Sequence, residues 1–126
     1  MSVDDYRAHG GYDALEGALA GAPAAVLDAV KASGLRGRGG AAFPAGIKWE
    51  TVARTEADEK AIACNADEGD SGTFADRLLM EGDPFALLEG MTLAAWAVGA
   101  NRGHIYLRSE YPLAEQILGR AIDTAR

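Results

Sequence analysis

The stretch Gly34-Leu35-Arg36-Gly37-Arg38-Gly39-Gly40-Ala41-Ala42-Phe43-Pro44-Ala45-Gly46-Ile47-Lys48-Trp49 sets five glycines and three cations between two more regular segments. Glycine takes positive φ and lets a ligand come close to the main chain, so a run this dense offers several backbone N–H groups to one bound group. Arg36, Arg38 and Lys48 add positive charge in a chain whose formal net charge is -7. Composition alone leaves two readings, an anion-binding loop and a solvated linker. Phe43, Pro44 and Trp49 count against the linker. The stretch lacks the Gly-Lys-Ser/Thr ending of a P-loop and has no Gly-x-Gly-x-x-Gly between a clear strand and a helix. The residues by themselves thus define a phosphate or dinucleotide loop of another type.

With 126 residues, 48% of them hydrophobic, the chain is long enough for one core and too short for two ordinary domains. The acidic balance argues against nucleic acid as a partner, despite the Arg-Gly-Gly appearance of the loop. Cys64 is the one cysteine, which leaves no internal disulfide and no self-contained cysteine metal site. His9 and His104 show no metal-ligand spacing. No apolar run approaches the ~20 residues of a membrane span, and the first residues lack a signal pattern. A cytoplasmic, soluble protein is expected, with no direct membrane span.

Residues 1 to 12 read as a polar, poorly ordered leader ending near Gly10-Gly11. Asp13 caps a short helix over Ala14 to Ala20, and Pro23 opens a second that stops at Gly34. Val26, Leu27 and Val30 fall at helical spacing there and are core contacts. A short helix is expected over Lys48 to Arg54, then a buried strand over Lys60 to Cys64. Asp83-Pro84 opens a strong helix, apolar on nearly every face, that ends at Gly99. A second strand over His104 to Arg108 and a helix from Pro112 complete an α/β unit with a parallel pair of strands.

The first strand delivers Asn65-Ala66-Asp67-Glu68-Gly69-Asp70 into a long loop that reaches Asp83. In open α/β sheets ligands gather beyond the carboxyl ends of strands, so these groups are well placed for binding. An acidic surface turn is the competing reading, and calcium is a weaker one because the EF-hand register is absent. Cys64 reads as a small buried hydrophobe, since no histidine lies near it in sequence.

Taken together, Ser33 to Trp49, Cys64-Asn65-Ala66-Asp67-Glu68-Gly69, Gly72-Thr73-Phe74, Asp76-Arg77, Met80-Glu81-Gly82-Asp83-Pro84 and Tyr106-Leu107-Arg108-Ser109-Glu110-Tyr111-Pro112 resemble the flavin and NADH-binding (51 kDa type) subunit of respiratory complex I. The same subunit type recurs in NAD-dependent formate dehydrogenases and bidirectional hydrogenases, and Asp70 to Arg77 leans toward the formate dehydrogenase branch. The resemblance implies FMN and NAD(H) as cofactors, hydride transfer from nicotinamide to flavin, and onward transfer of single electrons to iron-sulfur centres; no catalytic acid or base on the protein is needed. It implies that Gly37, Arg38, Gly39 and Lys48 contact the flavin, with Gly40, Ala41 and Phe43 on the nicotinamide nucleotide side. Asn65, Asp67 and Glu68 match residues at the FMN ribityl chain and ring edge, and Asp70 matches an acid near the bound NADH.

Two departures stand out. Ala42 occupies a place where the family usually has glycine. The sequence also stops at Arg126, ahead of the family's second flavin segment and the four cysteines of its iron-sulfur cluster. The chain is therefore expected to be the N-terminal part of the FMN/NADH-binding domain, an incomplete domain that works with other subunits of a multisubunit oxidoreductase, peripheral to a membrane at most. Alone it is expected to bind FMN weakly and to oxidise NADH negligibly. A non-catalytic nucleotide-binding or scaffold module is the alternative.

Overall fold

A computed structural model describes residues 1–70 and 72–126. Among them the elements are α1 (Val3–Ala8), α2 (Asp13–Leu19), α3 (Pro23–Ser33), α4 (Ala45–Arg54), β1 (Ala61–Ala66), α5 (Ala75–Gly82), α6 (Pro84–Val98), β2 (Arg102–Leu107) and α7 (Pro112–Ala125). The strands pair in parallel, from Ala61 opposite Arg102 to Ala66 opposite Leu107, with α6 in the connection between them. The expected α/β unit and its parallel pair are present.

Strand alternation sorts the two faces of the sheet. Ile62, Cys64 and Ala66 on β1 turn inward with Ile105 and Leu107 on β2, while Ala63, Asn65, His104 and Tyr106 are exposed on the other face. Inward residues pack on Met80 of α5, Tyr111, and Ala114 and Leu118 of α7. Helix α6 buries Phe85, Ala94, Ala97 and Val98 and touches α2 to α5, α7 and both strands, which is why its sequence is apolar almost all round. Its ends are set locally. Asp83 accepts the Ala86 N–H at 3.2 Å, Pro84 fills the first helical position, and Gly99 closes the helix in left-handed backbone.

Two expectations are corrected. Residues 1 to 12 are not irregular throughout: Ser2 and Asp5 form a reciprocal capping box that starts α1. Glu89 of α6 then fastens this segment. Its buried carboxylate accepts the N–H groups of Tyr12 and Leu15, both at 3.1 Å, and the Tyr6 hydroxyl. Burial, then this bond to Glu89, pushes the Tyr6 phenol well above its ordinary pKa. The second correction is the Asn65–Asp83 loop, which is interrupted by α5. Met80 is the buried residue of that helix, whereas Leu78 and Leu79 on its apolar side are exposed.

The glycine loop is tied down at its far end by close helix packing. A Cβ on buried Gly46 would lie 2.9 Å from Lys31 Cα, so only glycine lets α4 approach α3 this closely. Ion pairs from Glu50 to Lys31 (3.1 Å) and Arg54 (2.7 Å) lie on the surface beside this contact.

Removing Glu89 leaves two backbone N–H groups and a hydroxyl without their acceptor. Glu89→Ala should cost ~2–4 kcal/mol and speed hydrogen exchange at the Tyr12 and Leu15 amides; unchanged exchange there would show that Glu89 does not hold the segment.

Candidate functional site: a glycine cradle and a strand-end turn

The glycine loop has a closed base and an open tip. Arg36 and Pro44 face each other as an antiparallel bridge, the Gly37 N–H donates to the Phe43 carbonyl and the Ala45 N–H to the Leu35 carbonyl, each at 2.9 Å. Arg36 Nη1 donates to the Ala42 carbonyl at 3.0 Å, so this guanidinium braces the loop from within. The backbone N–H groups of Arg38 to Phe43 donate to no acceptor among the described residues. A Cβ built on Gly39 or Gly40 would meet nothing within 4 Å, so space lies open beside those groups. Arg38 and Lys48 are exposed, Lys48 on the first turn of α4. Free N–H groups, two cations and a helix start fit a phosphate dianion.

Positive φ is confined to two positions of the tip. Gly40 sits at φ +105, open to glycine alone, and Ala42 at φ +51, in left-handed backbone that an L residue occupies at a cost of about 1–2 kcal/mol. The departure at Ala42 thus falls where the backbone favours glycine.

At the carboxyl end of β1, Asn65 and Asp67 are exposed and Glu68 is buried. Asn65 Oδ1 accepts the Asp67 N–H at 3.2 Å. The Glu68 carboxylate accepts the N–H groups of Asp76 (2.8 Å) and Arg77 (3.4 Å) at the start of α5. With Glu68 only 8% exposed, its side chain is committed to that helix, and Asn65 and Asp67 are the groups that face outward. The Glu68 carbonyl accepts from the Tyr111 hydroxyl at 2.8 Å and from Arg108 Nη1 at 3.3 Å. Arg108 Nε lies 3.0 Å from Glu110 and 3.9 Å from Asp67. The Glu110 carboxyl is held below its usual pKa by its own backbone N–H, then by Arg108 and Ser109. Cys64, half-buried on the inner face, has its thiol pushed up by burial and by nearby Asp76.

Lys48 and the strand-end turn each line a cavity. Lys48 lines an apolar cleft of about 510 Å³ with Trp49, Cys64 and Leu87, between α4, β1 and α6. Asp67 and Gly69 line a polar one of about 490 Å³ with Tyr106, Arg108 and Glu110. Tyr106, Arg108 and Tyr111 received no role from sequence, although all lie in a motif that carries the family resemblance. Tyr106 is 75% exposed and pairs in register with Asn65, a neighbourhood created by strand pairing alone. Asp70 is exposed on the same turn. Among the described residues, no group of three His, Cys, Asp or Glu side chains could hold a metal ion, and no helix is long and apolar enough to cross a membrane.

A parallel strand pair has a glycine loop before it and an acidic turn at its end. The family described as the Nuo51 FMN-binding domain matches residues 30–126, and the chain belongs to that family. It is 54% identical over 125 residues to the NADP-reducing hydrogenase subunit HndC of Solidesulfovibrio fructosivorans, covering 99% of this chain and 25% of that protein. To the corresponding NADH-quinone oxidoreductase subunits it is 47% identical in Aquifex aeolicus and 46% in Escherichia coli, over 29% and 28% of those proteins. A crystal structure of an NAD+-reducing [NiFe]-hydrogenase in the H2-reduced state superposes with a TM-score of 0.77 at 46% identity, covering 80% of this chain and 18% of that one. The chain thus spans between a quarter and a third of the length of these curated relatives.

Ala42→Gly should relieve the left-handed strain and stabilise the fold by about 1 kcal/mol, net of glycine's greater freedom when unfolded. Equal or lower stability on chemical denaturation would show that Ala42 is not strained.

Proposed function

We propose that this chain is the flavin- and nicotinamide-nucleotide-binding portion of an NAD-linked oxidoreductase subunit. The observation that carries the reading is the cradle of unaccepted N–H groups from Arg38 to Phe43 beside Arg38 and Lys48, in a chain of the FMN-binding family. Bound FMN supplies the redox chemistry, exchanging a hydride with NAD(H) and releasing electrons one at a time. The chain's residues bind and orient. Gly37, Arg38, Gly39 and Lys48 hold the flavin nucleotide, with Gly40, Ala41 and the exposed Phe43 ring toward the nicotinamide nucleotide. Asn65 and Asp67 hydrogen-bond the ribityl hydroxyls, Glu68 fixes the turn that carries them, and Asp70 stands on the nicotinamide side. No proton transfer by the protein is required.

Electron acceptors belong elsewhere in the assembly. Cys64 is the chain's one cysteine and its side chain lies on the inner face, so iron-sulfur ligands come from outside these residues. Subunits of a multisubunit complex are the partners this requires, with the cytoplasm or the cytoplasmic face of a membrane as the location. The names of the relatives point to a hydrogenase or a quinone reductase; the formate dehydrogenase alternative rests on the wording of Asp70 to Arg77 alone. Flavin absorbance in the purified assembly separates this reading from a scaffold that has lost its cofactor.

Lys48 is free to meet the ligand, whereas Arg36 is engaged with the Ala42 carbonyl. Lys48→Ala in the assembled protein should weaken FMN binding by ~1.5–3 kcal/mol, the worth of a hydrogen bond to a charged group, and Arg36→Ala by less. The reverse ranking in a flavin titration would refute the assignment.

A further inference from the structure

We propose that Tyr111 and Arg108 are positioning residues that set, from the connection between β2 and α7, the orientation in which Asn65 and Asp67 meet the flavin; this rests on the flavin-binding reading above. Beyond Ala66 the chain leaves the sheet, and the ladder to β2 no longer holds it. What holds it instead is the Glu68 carbonyl, which takes the Tyr111 hydroxyl at 2.8 Å and Arg108 Nη1 at 3.3 Å. Two donors on one carbonyl fix the plane of the Glu68–Gly69 peptide. The Glu68 carboxylate, engaged with Asp76 and Arg77, fixes the same residue from its other end.

Neither donor is free to drift. The Tyr111 ring is buried in the core cluster, and the Arg77 guanidinium lies 5.1 Å from its centroid, itself held to Glu81 at 3.0 Å. Arg108 is held by Glu110 at 3.0 Å. Its second task is electrostatic. Asp67 and Glu110 both flank the cavity at the strand ends, and Arg108 lies between them, 3.9 Å from Asp67. Without its charge, two carboxylates would face an anionic nucleotide with nothing between them to lessen the repulsion. Tyr111 therefore governs the geometry of the turn, and Arg108 governs both geometry and charge.

The test uses the flavin-loaded protein in its complex, with FMN as the probe. Tyr111→Phe removes one hydroxyl and keeps the packed ring, and should raise the FMN Kd about three- to tenfold, the range for one lost hydrogen bond, with a shift in the flavin midpoint potential. Arg108→Ala should raise Kd further, and Arg108→Lys should recover part of the loss by restoring the charge. Phe85→Leu, a core change against Tyr6, is the control for lost stability and should leave Kd and potential unaltered. If the wild-type protein binds FMN and Tyr111→Phe matches it in Kd and potential, the positioning role is wrong. An equal rise in Kd for Phe85→Leu would likewise reduce Tyr111 to a general contribution to folding. Failure of the wild-type complex to bind FMN would overturn the functional reading and this role together.

Discussion

The burial of α6 on nearly every side is the constraint from which the other positions follow. One helix contacts α3 and α4, which flank the glycine cradle, and both strands, whose ends carry the acidic turn. Its faces must therefore be apolar all round, and the buried charge it does carry, Glu89, is matched by two backbone N–H groups and a hydroxyl from the N-terminal segment. The cradle and the turn are thus placed by one scaffold.

Within the turn, Glu68 links the three segments that meet there. Its side chain starts α5 and its main chain receives β2's extension, while Asn65 and Asp67 on either side of buried Ala66 remain exposed. A residue whose own polar atoms are engaged can hold its neighbours in place for a ligand, and preorganisation of this kind lowers the entropy lost on binding. The same logic applies to Arg36, whose guanidinium closes the loop and leaves Arg38 and Lys48 as the outward cations.

What was legible in the sequence was whatever depends on near neighbours. Asp83-Pro84, Gly99, Pro23 and Gly34 mark helix ends through bonds within a turn. Helix α1 was equally local, since Ser2 and Asp5 cap it, yet its polar composition read as a leader. Helix α5 was not legible in the same way, because the carboxylate that starts it belongs to Glu68, eight residues upstream of Asp76. The pairing of Asn65 with Tyr106, and of the Glu68 carbonyl with Tyr111, depends on a parallel register that sequence periodicity does not specify. Of the candidate residues, the structure sets Gly37 to Phe43 on one loop, Asn65 at the end of β1 and Asp67 to Asp70 on the turn after it, with Lys48 at the start of the helix that follows the first loop.

The central claim is that the backbone of the glycine loop is the nucleotide cradle, and hydrogen exchange at single-amide resolution addresses it most directly. In the flavin-free protein the Arg38 to Phe43 amides have no acceptor among the described residues and should exchange quickly. With FMN bound in the assembled protein, the Arg38 and Gly39 amides should become protected, and NADH should then extend protection to Gly40 and Ala41. Stoichiometric FMN with those amides still exchanging at their free rate would place the nucleotide elsewhere and contradict the account.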